Sequence, residues 1–323
     1  MRVDRGRLNW GVFFIVLGAV PLAYHQGAVS SSAIGEAWRL WPLVLVGIGL
    51  GFVLVRTPAA FLGGLVVAAS MGLVLGSLFA VGPNVGCGGG GNNPASIVRD
   101  GSFGGASSVN LHLQCGSATI TTSSDERWHV NASNDGGHTA RISSDSTSLT
   151  IDSGDGGDWW VNRGEDDWQV ALPRSGQMSL SSTLDFGDAR FRLSEATLSS
   201  ATFTLNFGSL HVDLTGASVG SLTVSTSLGA AWVELGSSSD LRADLKTSLG
   251  SLDVCAPPEL GLAVTTTESL SSSDFSGLAM TRVGNAWQTG NYATAAHKAN
   301  LSVDTSLGSF KLHHVIRSSA GSG

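Results

Sequence analysis

Residues 204–224 read TLNFGSLHVDLTGASVGSLTV, and the block that follows, 225–245, reads STSLGAAWVELGSSSDLRADL. Both blocks carry a large apolar residue and then a glycine at their fourth and fifth positions. The blocks 183–203 and 246–266 keep the same spacing, so a 21-residue repeat runs through this part of the chain. The predicted repeat core is Phe186, Phe207, Leu228, Leu249 and Leu307, and the predicted repeat corner is Gly187, Gly208, Gly229, Gly250 and Gly308.

Within a block the apolar residues alternate with polar ones. The alternation runs from Phe203 to Phe207, and beyond Gly208 it resumes in the opposite phase at Leu210. A period of two is typical of a β-strand, and a phase change at glycine indicates a bulge or corner. We therefore predict an all-β domain, a single-stranded β-solenoid (a β-helix-like coil) with about 21-residue repeats, in which Phe207 stacks over Leu228. An antiparallel sandwich is the alternative.

The repeat also sets the limits of this domain. LGSFKLHH at 307–314 restarts the pattern after an insertion at 282–295, and LQCGSATITT at 113–122 is a looser, earlier copy. The predicted β-solenoid domain spans residues 99–315. The tail 316–323 is predicted to be disordered.

The first quarter of the chain has a different composition. No Asp, Glu, Lys or Arg occurs from residue 57 to residue 98. Three apolar runs predict a membrane domain over residues 1–82, with the lipid bilayer as a partner. The three predicted transmembrane helices cover about residues 8–26, 38–55 and 58–82. The sequence NVGCGGGGNNP then places a Gly-rich linker at 83–98.

The arginines favour one orientation of these helices. Three arginines precede the first run and Arg56 lies between the second and third, whereas Arg39 and Arg99 lie on the opposite side. This excess predicts a cytoplasmic amino terminus. With three crossings, the protein is a multi-pass cell-membrane protein whose carboxyl-terminal domain is extracytoplasmic.

The membrane part and the β domain each resemble a known bacterial family. The pattern WGVFFIVLGAVPLAYHQG followed by WRLWPLVLVGIGLGFVLV, within about residues 8–56, resembles the paired-helix membrane module of LiaI/LiaF-type bacterial envelope proteins. The motifs FGSLHVDL, LGAAWVEL, LGSLDV and LGSFKLHH, within about residues 100–314, resemble the bacterial "putative adhesin" domains of unknown function. The resemblance implies a β-coil with no established catalytic residues.

Composition and spacing exclude several function classes. Only 13% of residues are charged and the net charge is −7, which excludes nucleic acid as a partner. Five aspartates near the repeats fall at no common position, and His313 and His314 are neighbours that point to opposite faces of a strand. We therefore predict no enzymatic activity, no cofactor and no metal site. A polysaccharide-active β-helix enzyme is the least favoured alternative. The aspartates are Asp185, Asp188, Asp213, Asp240 and Asp253.

The segment 151–173 interrupts the repeat with acidic and aromatic residues. Its tryptophans form a candidate surface for a partner or ligand, and the alternative is that they cover the open end of the coil. Its aspartates suit calcium by type but lack the twelve-residue pattern of a calcium loop. The tryptophans are Trp159, Trp160 and Trp168, and the aspartates are Asp152, Asp155 and Asp158.

The sequence thus predicts a non-enzymatic protein of the bacterial cell envelope. By resemblance it is a LiaF-like sensor or regulatory accessory, with membrane signalling proteins or envelope components as partners. A membrane-anchored surface adhesin or scaffold is the alternative. The chain has three cysteines, and whether Cys115 pairs with Cys255 is left open.

Overall fold

The computed structural model describes residues 5–25, 66–73, 94–154, 164–269, 271–275 and 277–314. The chain divides into two compact units, residues 1–88 and residues 89–323. The predicted second helix, most of the predicted third helix and the predicted disordered tail lie outside the described residues.

The first unit is helical where it is described. Helix α1 (Arg5–His25) overlaps the predicted first span, and residues 66–73 are also helical. A Cβ on Gly72 would lie 2.8 Å from the carbonyl oxygen of Phe13, so the absent side chain lets the two helical segments pack closely. No helix in the described ranges is both long and apolar enough to span a membrane.

The second unit confirms the prediction of an all-β domain. Its described residues form fifteen strands in one hydrogen-bonded sheet. The strands are β1 (Ala95–Ser102), β2 (Ser107–Ser123), β3 (Arg127–Asn134), β4 (Arg141–Ser144), β5 (Ser148–Asp152), β6 (Asp166–Pro173), β7 (Gln177–Arg192), β8 (Thr197–Asp213), β9 (Ser218–Glu234), β10 (Leu241–Ala256), β11 (Gly261–Glu268), β12 (Ser272–Asp274), β13 (Met280–Val283), β14 (Ala286–Thr289) and β15 (Lys298–His314).

The domain begins earlier than the sequence predicts. Strand β1 starts at Ala95 and pairs antiparallel with β3, from Ala95 opposite Asn134 to Ser102 opposite Arg127. Residues 95–98 are therefore part of the sheet and not of the predicted linker 83–98.

The centre of the sheet is a parallel ladder in the order β2-β7-β8-β9-β10-β15-β11. β6 lies beyond β2 and is parallel to it, and antiparallel pairing then follows at both ends, through β3 and β1 on one side and β14 and β13 on the other. The hairpin of β13 and β14 contains the start of the predicted insertion at 282–295. A parallel ladder of this kind places every residue of one strand beside its counterpart in the next repeat.

The register of the ladder follows the 21-residue repeat. Phe186 lies beside Phe207, Phe207 beside Leu228, and Leu228 beside Leu249. After the insertion, Leu249 lies beside Leu307, with no change in register.

The glycines of the corner stack in the same way, each beside the next. Gly208 has a φ of +133°, and a Cβ there would overlap the carbonyl oxygen of Gly187. Only glycine fits a backbone that turns left-handed and also touches the strand below it. Gly116, in the looser earlier copy, joins the column with a φ of +141° beside Gly187.

The predicted repeat core is wrong in its orientation. Leu228, Leu249 and Leu307 are exposed, at 45%, 48% and 47%, and Phe186 and Phe207 are only half-buried. On β8 the register of the ladder skips Asn206, the residue just before Phe207, and the chain turns at Gly208, the residue just after it. The alternation therefore changes phase at Phe207, and its side chain points outward. The same holds for the corresponding residue of each neighbouring strand.

The true core comes from the residues on either side of the corner. Leu205 and Leu210 flank the turn on β8, and both point inward with at most 3% exposure. Phe203 and Phe191 of the neighbouring strand meet edge to face, with ring centroids 4.6 Å apart. These inward columns form one continuous hydrophobic core through the ladder.

Candidate functional site

Two columns of side chains follow the glycine corner on the outer face. The first runs His211, Trp232, Asp253 and Lys311 across β8, β9, β10 and β15. The second, two residues further along each strand, runs Asp213, Glu234, Cys255 and His313. Residues two apart on a strand share a face, so the two columns lie side by side.

Three side chains of these columns meet between β10 and β15. The Sγ of Cys255 lies 2.9 Å from Nε2 of His313, and Nδ1 of His313 lies 3.1 Å from Oδ1 of Asp253. One potential ligand atom of each residue falls within 4.8 Å of the others. We name Asp253, Cys255 and His313 the DCH cluster.

The cluster is more covered than its outward position suggests. Cys255 is 3% exposed, and the side chains of Asp253 and His313 are about one-third exposed or less. The ring of Trp232 packs edge-on against His313, with centroids 5.8 Å apart. The imidazole is thus held between an indole and a thiol.

One oxygen of the cluster has no hydrogen bond. Oδ1 of Asp253 is buried, and although Nδ1 of His313 is at ion-pair distance, the angle is not that of a hydrogen bond. Burial without a donor is costly for a carboxylate oxygen.

The charge state of Cys255 follows from its surroundings. Burial raises the pKa of the Cys255 thiol to about 12, and the negative charges of Asp253 and Glu234 add to the shift. A Cys–His–Asp arrangement also serves in nucleophilic catalysis, which needs a thiolate. At neutral pH this thiol stays protonated and covered, so the cluster is a poor nucleophile.

The sequence reasoning missed this cluster. Cys255 and His313 are 58 residues apart, separated by an insertion, and no local spacing connects them. The signal that could have found them is the repeat itself, because VCA at 254–256 aligns with LHH at 312–314 once the two LGS motifs are superposed.

A second feature of the outer face is apolar. The five residues predicted as repeat core form an exposed line along the corner, which we name the apolar ridge: Phe186, Phe207, Leu228, Leu249 and Leu307. Strands are about 4.8 Å apart, so the ridge extends for about 19 Å. The rings of Phe186 and Phe207 are in contact, with centroids 5.8 Å apart.

The flanks of the ridge are uncharged over its last three residues. On one side lie Ser227, Ser248 and Ser306, and on the other lie Ala230, Ser251 and Ser309. Exposed apolar side chains arranged in a line with neutral neighbours are typical of a contact surface rather than of scattered surface residues.

Of the three tryptophans of the predicted surface, the structure describes only Trp168. Trp168 is fully buried on β6, opposite Ala132 of β3, and belongs to the core. It alternates with exposed residues on that strand, so its side chain points inward. Trp159 and Trp160 lie outside the described residues, as do Asp155 and Asp158 of the predicted calcium loop.

Asp152, the remaining acidic residue of that loop, has another role. His112 lies between two carboxylates, with Nδ1 3.0 Å from Oδ2 of Asp152 and Nε2 3.1 Å from Oδ2 of Asp185. Burial lowers the pKa of His112, but the hydrogen bonds and charges of the two aspartates outweigh it, and the pKa is raised above 6.5.

The structure also answers whether Cys115 pairs with Cys255. Cys115 is disulfide-bonded, whereas Cys255 is a free thiol, so the two do not pair with each other. Cys115 on β2 lies beside Phe186 on β7.

Comparison with known proteins finds a family model that is similar to part of the β domain. The family model described as the N-terminal domain of toast_rack, DUF2154, matches residues 95–236, which include strands β1 to β9. This match supports the resemblance to adhesin-like domains. No curated protein matches the sequence.

Two solved structures are similar to the chain to different degrees. A "putative cell adhesion protein" from Clostridium sporogenes ATCC 15579 is 14% identical, with a TM-score of 0.51 over 69% of this chain and 100% of that chain. A "putative adhesin" from Bacteroides fragilis NCTC 9343 is 10% identical, with a TM-score of 0.34 over 68% of this chain and 97% of that chain. The first likeness shows a shared β fold, and at this identity it shows no shared activity.

Proposed function

We propose that this chain is a non-enzymatic surface protein of the bacterial cell envelope, an adhesin or scaffold that binds its partner through the apolar ridge. The observation that carries the proposal is the line of exposed apolar side chains on consecutive strands. In this proposal the parallel strands β2, β7 to β10 and β15 are successive turns of a solenoid.

The ridge favours a particular kind of partner. Around Leu228, Leu249 and Leu307 the immediate neighbours are serines, alanine and glycines, so docking would remove no charge from water. A flat apolar surface of another envelope protein fits this line of side chains. The repeated 4.8 Å spacing of the strands also holds the line rigid, which limits the entropy lost on binding.

Two observations support a location outside the cytoplasm. Cys115 is disulfide-bonded, and disulfides persist in oxidising compartments. The apolar runs of residues 1–82 and their arginine pattern predict an anchor with the β domain on the outside. The LiaF-like sensor role rests on the resemblance of residues 8–56 alone and is the less supported form of the proposal.

The test replaces the exposed leucines of the ridge. The full-length chain and its L228S/L249S/L307S variant are fluorescently labelled and titrated with cell envelopes isolated from the producing bacterium. Because each leucine is about half exposed, the substitutions remove apolar contact area from the partner without opening the core. We expect the apparent Kd to rise about ten-fold or more.

The matched control changes apolar residues of similar exposure elsewhere. Val98 and Val283 are 52% and 54% exposed, and V98S/V283S should bind as the unmodified chain does. Equal binding by the ridge variant and the control would overturn the proposal. Self-association of the chain that disappears in the ridge variant would instead make a second copy the occupant.

A further inference from the structure

We propose that the DCH cluster is a zinc site in which Asp253, Cys255 and His313 bind one ion between β10 and β15. The inference is independent of the proposed function. It rests on the three side chains that the ladder brings together and on the buried oxygen that accepts no hydrogen bond.

The donor set fits zinc by type. A thiolate, an imidazole and a carboxylate are the side chains that zinc prefers, and mixed sulfur, nitrogen and oxygen donors disfavour magnesium and calcium. Three protein ligands would leave a fourth position for water or for another donor.

The three ligand atoms lie within 4.8 Å of one another, so shifts of about 1 Å or less would bring them to zinc-binding distances. Zinc ligands at about 2.0–2.3 Å from the ion lie roughly 3.3–3.8 Å from one another in a tetrahedron. The Sγ of Cys255 and Nε2 of His313 are 2.9 Å apart, so they would separate by about half an ångström. A rotation of the exposed edge of the imidazole supplies this movement.

The buried oxygen of Asp253 supplies the second argument. Oδ1 is covered by its neighbours and accepts no hydrogen bond within the described part of the chain. A cation in the cluster would satisfy this oxygen, and metal coordination is one of the few ways in which a buried carboxylate is stabilised.

The surrounding charges also favour a divalent cation. Glu234 on β9 lies beside Cys255, and Lys311 on β15 lies beside Asp253. Among the residues that lie beside Asp253 and Cys255 on the neighbouring strands, Lys311 is the one with a permanent positive charge. With Cys255 as a thiolate, Asp253, Glu234 and Cys255 would carry three negative charges against this single positive one. A dication would neutralise the remaining difference.

The ion would connect two neighbouring strands of the ladder near their carboxyl ends. Cys255 is the penultimate residue of β10 and His313 that of β15, and the 58-residue separation between them includes the whole insertion. A bond between the two strand ends closes this long loop, which is the situation in which a cross-link stabilises most.

The test measures metal binding by the full-length chain. The protein is freed of metal with a chelator, kept without reductant so that the disulfide at Cys115 persists, and titrated with Co²⁺ and then Zn²⁺. We expect one Co²⁺ per chain, a thiolate-to-cobalt charge-transfer absorption band, and displacement of Co²⁺ by Zn²⁺. Zinc should also raise the Tm of the β domain, by an amount that grows with the logarithm of its free concentration above the Kd.

The variants identify the ligands. C255S should lose the thiolate band, and H313Q and D253N should weaken binding at least ten-fold, while H112Q should bind as the unmodified chain does. His112 is the matched control because it contacts two carboxylates but no thiol. Melting in chelator checks that each variant folds, and D253N keeps the test valid if C255S does not fold.

Two results would overturn the zinc site. The first is the absence of a thiolate band in the unmodified, folded chain. The second is stoichiometric binding that survives in C255S, H313Q and D253N alike, since the ion would then lie elsewhere.

Discussion

A single histidine on β2, His112, links the two neighbouring strands β5 and β7 through its charge. His112 donates to Asp152 on β5 and to Asp185 on β7 when both ring nitrogens are protonated. Because the folded chain favours the imidazolium, the pKa of His112 is raised, and protonation is coupled to folding. The stabilisation is fully present below the ordinary pKa of 6.5 and is lost as the pH rises through the raised pKa.

We therefore predict that the free energy of unfolding of the β domain falls as the pH rises above about 6.5. His112→Gln should remove this part of the pH dependence, because glutamine does not titrate. The measurement is denaturant unfolding of the full-length chain at a series of pH values. The D152N/D185N variant keeps His112 but removes the two negative charges beside it, so it should also weaken the pH dependence of the free energy of unfolding. An unchanged slope in H112Q would contradict the prediction.

At the scale of the strands, one inward column changes character along the ladder. It begins with Leu184 and Leu205 and continues with Thr226, Thr247 and Thr305, all of them buried. The hydroxyl of Thr305 lies 2.7 Å from the hydroxyl of Ser271. The hydroxyls of Thr226 and Thr247 have no hydrogen-bond partner among the residues described.

Replacement by valine should stabilise the domain at two of these threonines and destabilise it at the third. Thr226→Val and Thr247→Val remove an unsatisfied buried hydroxyl and should each stabilise the domain by about 1 kcal/mol. Thr305→Val removes a bonded hydroxyl and leaves Ser271 without it, so it should destabilise the domain by about 1 kcal/mol. Denaturant midpoints of the three variants test this. The same sign for all three would show that the hydrogen bond to Ser271 has no net value.

At the scale of the whole molecule, the question is which side of the membrane holds the β domain. Ser238 lies exposed in the turn between β9 and β10. The native Cys255 is buried with its pKa raised to about 12, and Cys115 is in a disulfide, so both give little background in thiol labelling.

We expect Ser238→Cys to be labelled in intact cells by a membrane-impermeant maleimide, above the level of the unmodified chain. The reason is the proposed extracytoplasmic position of the domain. A cytoplasmic protein with an exposed thiol, unlabelled in the same cells, controls for intact membranes. Labelling that begins only after lysis would put the domain in the cytoplasm and remove the adhesin proposal.

Much of the β domain could be predicted because the repeat is local and regular. The all-β class and the pairing of Phe207 with Leu228 follow from a constant repeat length, since equal strands stack with equal residues side by side. The glycine corner follows in the same way, because only glycine lacks the Cβ that the neighbouring strand would meet.

Other features could not be read from spacing. Alternation alone does not show on which residue the phase changes, and an error of one residue turned an exposed ridge into a predicted core. Trp168 was misplaced for a related reason: its inward direction depends on how β6 pairs with β3, which lies outside the repeat.

The sequence by itself determined the class of the domain, the period of its strands and the column of glycines at its corner. Local alternation and steric exclusion act within one repeat and need no distant partner. Only the tertiary structure decided which apolar residues face water and that Asp253 and Cys255 meet His313. The first relation depends on the residue at which each strand changes phase, and the second depends on register across an insertion, where residues 58 apart become neighbours.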